Sequence, residues 1–332
     1  MVKKRFPVKT YIEGIVSGDR VLLSQAITLV ESTLKTDLNL AHQVVQGILP
    51  YTGNSLRLGI SGIPGAGKST LIGNLGKVIL KAGKKLAVLT VDPSSKISGG
   101  SILGDKTRME AIVGDARVYI RPSPTGNTLG GVSAKTREIL LLCEAAGFDV
   151  VIIETVGVGQ SEVAVKEMVD AFLLLLITGA GDELQGIKKG IMEMADFFLI
   201  NKADGKNAEK AVQTKSDLEK VLHYFPAPEN GWQPTVLTCS SLSHEGLQEI
   251  WESILEYEQT VKNNGFFERN RSLQQISWLE THIRFLLERE FYSHPEMASA
   301  LEKGKSEVLE GKDSAIGMAR RLVDLFFSRI GF

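Results

Sequence analysis

Cysteine is almost missing from this chain: Cys143 and Cys239 are the only two in 332 residues, far apart in sequence. A disulfide framework is thereby excluded, and the chain reads as one that works in a reducing, cytoplasmic compartment, with both thiols as small core residues. Excess charge of either sign is missing too. With 38 basic and 39 acidic residues the net charge is −1, so no global field draws nucleic acid or an anionic membrane. Long apolar runs are absent. The longest, "AFLLLLI" at 171–177, is too short for a bilayer and suits a buried parallel strand. Lys3, Lys4 and Arg5 are followed by Pro7, Lys9 and Glu13 rather than by an apolar segment, so no signal peptide is expected. His42, His223, His244, His282 and His294 are scattered, and none pairs with Cys or acidic neighbours at metal-site spacing. There is no nucleophile–base cluster, no protein-kinase glycine loop with a catalytic H-R-D, no internal repeat and no low-complexity tract.

What is present is the composition of a globular protein that buries a full core, 43% hydrophobic and 23% charged. Residues 10–50 read as helices, with apolar positions at mixed three and four spacing in "YIEGIVSGDRVLLSQAITLVEST", and predict an N-terminal helical extension over 1–50. From 56 to about 240, short apolar runs alternate with helical stretches: 56–61, 86–91, 117–120, 150–154, 172–177, 197–200 and 235–239. Such runs predict an α/β domain, 51–260, with a doubly wound, mostly parallel sheet whose ligands sit beyond the carboxyl ends of the strands. Residues 261–332 predict a C-terminal helical arm, rich in residues such as Trp278, Phe285, Leu286, Phe326 and Phe327.

"GISGIPGAGKST", 59–70, fits G-x-x-x-x-G-K-[ST] between a predicted strand and a predicted helix over 68–82. Gly62, Gly65, Ala66, Gly67 and Thr70 would offer backbone N–H groups to phosphate oxygens at a helix N-terminus. Lys68 would reach the β- and γ-phosphates, and the Ser69 hydroxyl would ligate Mg²⁺. "NKAD", 201–204, follows the strand at 197–200. Asn201 and Lys202 would brace a base, and the Asp204 carboxylate would accept from guanine N1–H and its exocyclic amine, which adenine lacks. The bland alternative is a polar loop. "SSL" (Ser240, Ser241, Leu242) follows the next strand, where backbone amides could meet guanine O6, or it is only a capping turn.

"ETVGVGQSE", 154–162, places Glu154 at a strand end near the Mg²⁺ shell and Gly157 where its N–H could contact the γ-phosphate. Val158 stands where many GTPases have a water-orienting Gln, and Gln160 is offset, so slow intrinsic hydrolysis is expected. In "VDPSSKISGGSILGDKTRM", 91–109, Asp92 and Asp105 are candidates for metal or water contact; alternatively Asp92 caps the "DPSS" turn and Asp105 is solvated.

Taken together, "GIPGAGKST", "VDPSSKISGGSILGDKTRM", "ETVGVGQSE" and "LLITGAGDELQGIKKGIMEMADFFLINKADG" resemble the MeaB/ArgK family of P-loop GTPases, over roughly residues 10–330. The resemblance implies a GTP/GDP and Mg²⁺ site at Lys68, Ser69, Asp92, Asp105, Glu154, Asn201, Lys202 and Asp204, a homodimer through the helical extensions, and an adenosylcobalamin-dependent mutase on a separate chain as partner. It also implies a mobile switch segment over 178–189, with Asp182, Gln185 and Lys188 as its candidate residues. Members of the family have been labelled kinases linked to lysine/arginine/ornithine transport. The guanine-type "NKAD" and the lack of phospho-acceptor machinery argue against that label here, and no D-x-H-x-x-G cobalamin-binding pattern is present.

Overall fold

The computed structural model describes residues 5–92, 109, 111–124, 129–155, 162–178 and 189–330. The chain divides into two compact units, Met1–Gln275 and Ile276–Phe332.

The first unit opens with helices α1 (Val8–Val16), α2 (Arg20–Glu31) and α3 (Lys35–Ile48). Asp19 starts α2 by accepting the amides of Val21 and Leu22 at 2.8 and 3.1 Å, which satisfies two donors that a helix N-terminus leaves open. Then follow β1 (Leu56–Gly62), α4 (Lys68–Lys81), β2 (Leu86–Asp92), β3 (Val118–Pro124), α5 (Leu129–Ala145), β4 (Val150–Thr155), α6 (Glu162–Lys166), β5 (Ala171–Ile177), α7 (Lys189–Met194), β6 (Phe197–Asn201), α8 (Ala208–Leu222), β7 (Thr235–Thr238) and α9 (Leu247–Asn263). Helix α10 (Phe266–Ser293) begins in this unit.

The strands make one sheet in the order β3-β2-β4-β1-β5-β6-β7, every pairing parallel. This is the doubly wound parallel sheet expected from the sequence. The strands are apolar throughout because both faces are covered. In β5, Phe172, Leu174 and Leu176 join Tyr11, Ile27, Ile48 and Leu142 on one side; Leu173 and Leu175 join Leu71, Leu75, Ile254 and Tyr257 on the other. The α1–α3 helices thus share the core of the sheet. Cys143 and Cys239 are both free and buried, and burial raises both thiols, that of Cys239 to about 12.

Strand β3 runs past the predicted 117–120, through Arg121, Pro122, Ser123 and Pro124. It pairs only with β2 among the described residues, and prolines are tolerated on an edge strand because one side carries no ladder.

The second unit contains the rest of α10 with α11 (Pro295–Leu309) and α12 (Ala315–Ile330). Met297, Met318, Leu322 and Phe326 are buried, and the Phe291 and Phe326 rings meet edge-to-face at 5.2 Å. A Cβ on Gly304 would stand 2.7 Å from Met318 Sδ, so glycine lets these helices approach. No helix among the described residues is long and apolar enough to cross a membrane.

Candidate nucleotide site

Three loops meet at the carboxyl ends of β1, β6 and β7, with the ends of β2 and β4 beside them. Gly62 ends β1 at φ 153°. A Cβ there would lie 2.4 Å from the Leu175 carbonyl oxygen, so the close approach of β1 and β5 requires glycine. Gly67, at φ 94°, starts α4 in the left-handed region, and a Cβ would lie 2.7 Å from Asn201 Nδ2. Lys68, Ser69 and Thr70 form the first turn of α4, whose N–H groups lack intrahelical acceptors.

Lys68 is buried and turns back over the loop it follows: Nζ donates to the carbonyls of Gly62 at 2.7 Å and Ile63 at 3.3 Å. Burial lowers its pKa, while the nearby charges of Glu154 and Glu162 oppose that shift. Ser69 Oγ donates to Glu154 Oε1 at 2.9 Å, both residues buried. On the other side of β1, Thr155 Oγ1 donates to Ser61 Oγ at 2.9 Å, and Ser61 Oγ stands 3.5 Å from Glu162 Oε1.

Asn201 joins the loops. Its Nδ2 donates to the Ala66 carbonyl at 2.7 Å, and its Oδ1 accepts Ser241 N at 3.0 Å and Ser241 Oγ at 2.9 Å. Lys202 follows in the left-handed region, φ 60°, with its side chain exposed. The Ser240 hydroxyl donates to Asp204 Oδ2 and accepts the amides of Leu242 at 3.3 Å and Ser243 at 3.0 Å. Ser240 therefore orients the carboxylate with its side chain, a role not read from the sequence. Leu242 is 79% exposed.

The fold thus brings together Gly62, Gly65, Ala66, Gly67, Lys68, Ser69, Thr70, Glu154, Asn201, Lys202, Asp204, Ser240, Ser241 and Leu242. Asp92 ends β2 beside them, its side chain outside what is described. Asp105, Gly157, Val158, Gln160, Asp182, Gln185 and Lys188 lie outside the described residues. Ser61, Asn74 and Glu162 also touch these loops, Asn74 by donating Nδ2 to the Ser241 carbonyl at 2.7 Å, and none of them is among the candidate residues singled out in the sequence. The signal for Glu162 was a carboxylate directly after the "ETVGVGQS" loop; Asn74 was visible as a lone polar residue on the apolar face of α4.

The family model described as Methylmalonyl Co-A mutase-associated GTPase MeaB matches residues 23–296. The chain is 48% identical over 268 residues to "GTPase ArgK" of Escherichia coli, covering 81% of each chain. It is 42% identical to the mouse "Methylmalonic aciduria type A homolog, mitochondrial", covering 98% of this chain and 81% of that one. A solved structure described as a LAO/AO transport system kinase superposes with a TM-score of 0.73 at 36% identity, covering 97% of this chain and 99% of that one.

Proposed function

The chain belongs to the MeaB family of P-loop GTPases, and from that premise we propose that its GTP hydrolysis gates cofactor loading or protection of an adenosylcobalamin-dependent acyl-CoA mutase, such as methylmalonyl-CoA mutase. The reaction is GTP to GDP and phosphate. The observation that carries the reading is the loop from Asn201 to Asp204, tied to the phosphate loop through Ala66 and to the next loop through Ser240 and Ser241. In this reading the N–H groups after Gly65 hold the phosphates and Lys68 exchanges its backbone carbonyls for β- and γ-phosphate oxygens. Asp204 accepts from guanine N1–H and the exocyclic amine.

The chemistry of Ser69 and Glu154 fits Mg²⁺: a hydroxyl and a carboxylate, both hard oxygen donors, are already in contact. The described residues hold no cluster of three or more His, Cys, Asp or Glu able to bind a metal alone. Mg²⁺ commonly takes one or two protein ligands together with nucleotide phosphates and water. Bound there, it would neutralise charge on the phosphates. Asp92 and Asp105 are its further candidates, and Asp182, Gln185 and Lys188 the candidates for sensing the partner.

The mutase partner is supported by the family description and by the named relatives. A homodimer through the helical arm is supported by exposed Ile276, Leu279, Ile283 and Leu287, which recur on α10 at three and four spacing. Two buried, unpaired thiols support a reducing, cytoplasmic setting.

Single-turnover hydrolysis, followed as released phosphate with GTP and with ATP, with and without the mutase, tests the reading. GTP binding at least about 100-fold tighter than ATP, slow basal release and acceleration by the mutase are expected. Equal use of ATP, transfer of the phosphate to an acceptor, or a rate unmoved by the mutase overturns it.

A further inference from the structure

Helix α4 carries Leu71, Ile72, Leu75 and Ile79 into the core, and among them sits a buried Asn74. Asparagine is a poor helix former, and a buried amide is costly unless hydrogen-bonded. Here it is bonded across 167 residues: Asn74 Nδ2 donates to the Ser241 carbonyl at 2.7 Å. Ser241 is 4% exposed and is held by two asparagines, its carbonyl by Asn74 and its N–H and hydroxyl by Asn201. The preceding residue, Ser240, is fully buried and gives its hydroxyl to Asp204.

We propose that Asn74 is a positioning residue for base selection: by holding the Ser241 carbonyl it fixes the 240–243 loop, and through Ser240 it fixes the Asp204 carboxylate. The proposal rests on the guanine reading of Asp204 given above. It makes the phosphate-binding helix itself a support of the base pocket, by a route separate from the contact of Asn201 with Ala66. Asn74 lies more than a turn past Lys68 and Ser69, so the phosphate contacts expected of those two do not depend on its side chain.

The test is calorimetric titration of the full chain with GDP and with ADP, for wild type, Asn74→Asp and Asn74→Ala. Asn74→Asp keeps the shape and turns the donor into an acceptor facing a carbonyl. Asn74→Ala removes the donor while raising helix propensity, so it decides the question if the Asp variant does not fold; thermal melts check both. The expected result is a loss of GDP affinity of about tenfold with ADP affinity within about twofold of wild type, because an unpaired buried carbonyl loosens only the base side. GDP selectivity retained in folded variants overturns the proposal, and so does an equal loss for both nucleotides, which marks a general packing role. Wild type that does not distinguish GDP from ADP overturns the guanine reading itself and this proposal with it.

Discussion

The two ends of the sheet are held together in opposite ways. At the amino end, full charges close on one another. Arg57 grips Glu144 with two bonds of 2.8 and 2.9 Å, and Arg271 grips Asp170 with two of 2.8 and 2.7 Å. Arg271 also donates to the carbonyls of Gly53 and Ser55 and stacks 4.1 Å from the Phe267 ring. Asp170 takes the Arg57 amide as well, at 2.8 Å. At the carboxyl end, the hydrogen bonds described for the charged groups run to neutral ones, Lys68 to two carbonyls and Glu154 and Asp204 to serine hydroxyls, with the Glu154 and Glu162 charges near the lysine. A neutral partner is given up to an incoming ligand at small cost, whereas a buried ion pair is not. One end is therefore set for permanence and the other for exchange.

Removing one member of a closed pair should do the greatest damage. Asp170→Ala leaves the Arg271 cation without its carboxylate, and a loss of about 3–5 kcal/mol in unfolding free energy is expected in urea titrations. The molecules that remain folded should bind GDP as wild type does. The reverse pattern is expected at the other end. Lys68→Ala should lower GTP affinity at least about 100-fold while leaving urea stability within about 1 kcal/mol, because the lysine's bonds to the loop are exchangeable. Comparable stability losses in the two variants would erase the distinction between the ends.

The smallest effect sharpens the comparison away from both ends. On α5, burial raises the Glu138 carboxyl from 4.5 to about 7, against the pull of Lys135. The folded state then holds a proton that the unfolded chain has lost between pH 4.5 and 7. Stability contributed by this group is therefore present below that window and is lost as pH rises through it. Glu138→Gln should flatten the stability–pH slope between those values and raise the melting temperature at pH 8 by a few degrees. An unchanged slope would show that Glu138 ionises freely.

Elements fixed by short stretches of sequence were readable in advance. The apolar runs announced the strands because both sheet faces are covered, and the phosphate loop announced itself because its parts sit within one short motif, as Gly67 does at φ 94° directly before Lys68 and Ser69. The far edge of β3 was not readable, since Pro122 and Pro124 look like a strand's end until the strand is known to be at the margin. The base side was legible only in part. "NKAD" marked the loop, but the bond from Ser240 to Asp204 spans 36 residues, and nothing local in "SSL" distinguishes a hydroxyl that aims a carboxylate from one that caps a helix. The same holds for Arg271 and Asp170, 101 residues apart and joined only by topology.

The prolines of β3 have a consequence for life in a crowded solution. A parallel sheet with an open margin offers a template on which another chain can add a strand. The ladder with β2 continues through both prolines to the pairing of Asp92 with Pro124, so the amide hydrogens they lack belong to the open side. An incoming strand would find two acceptors there without donors. The opposite margin, β7, is only four residues long. Among the described residues, neither border of the sheet gives a foreign strand a full row of partners, which protects against edge-to-edge association.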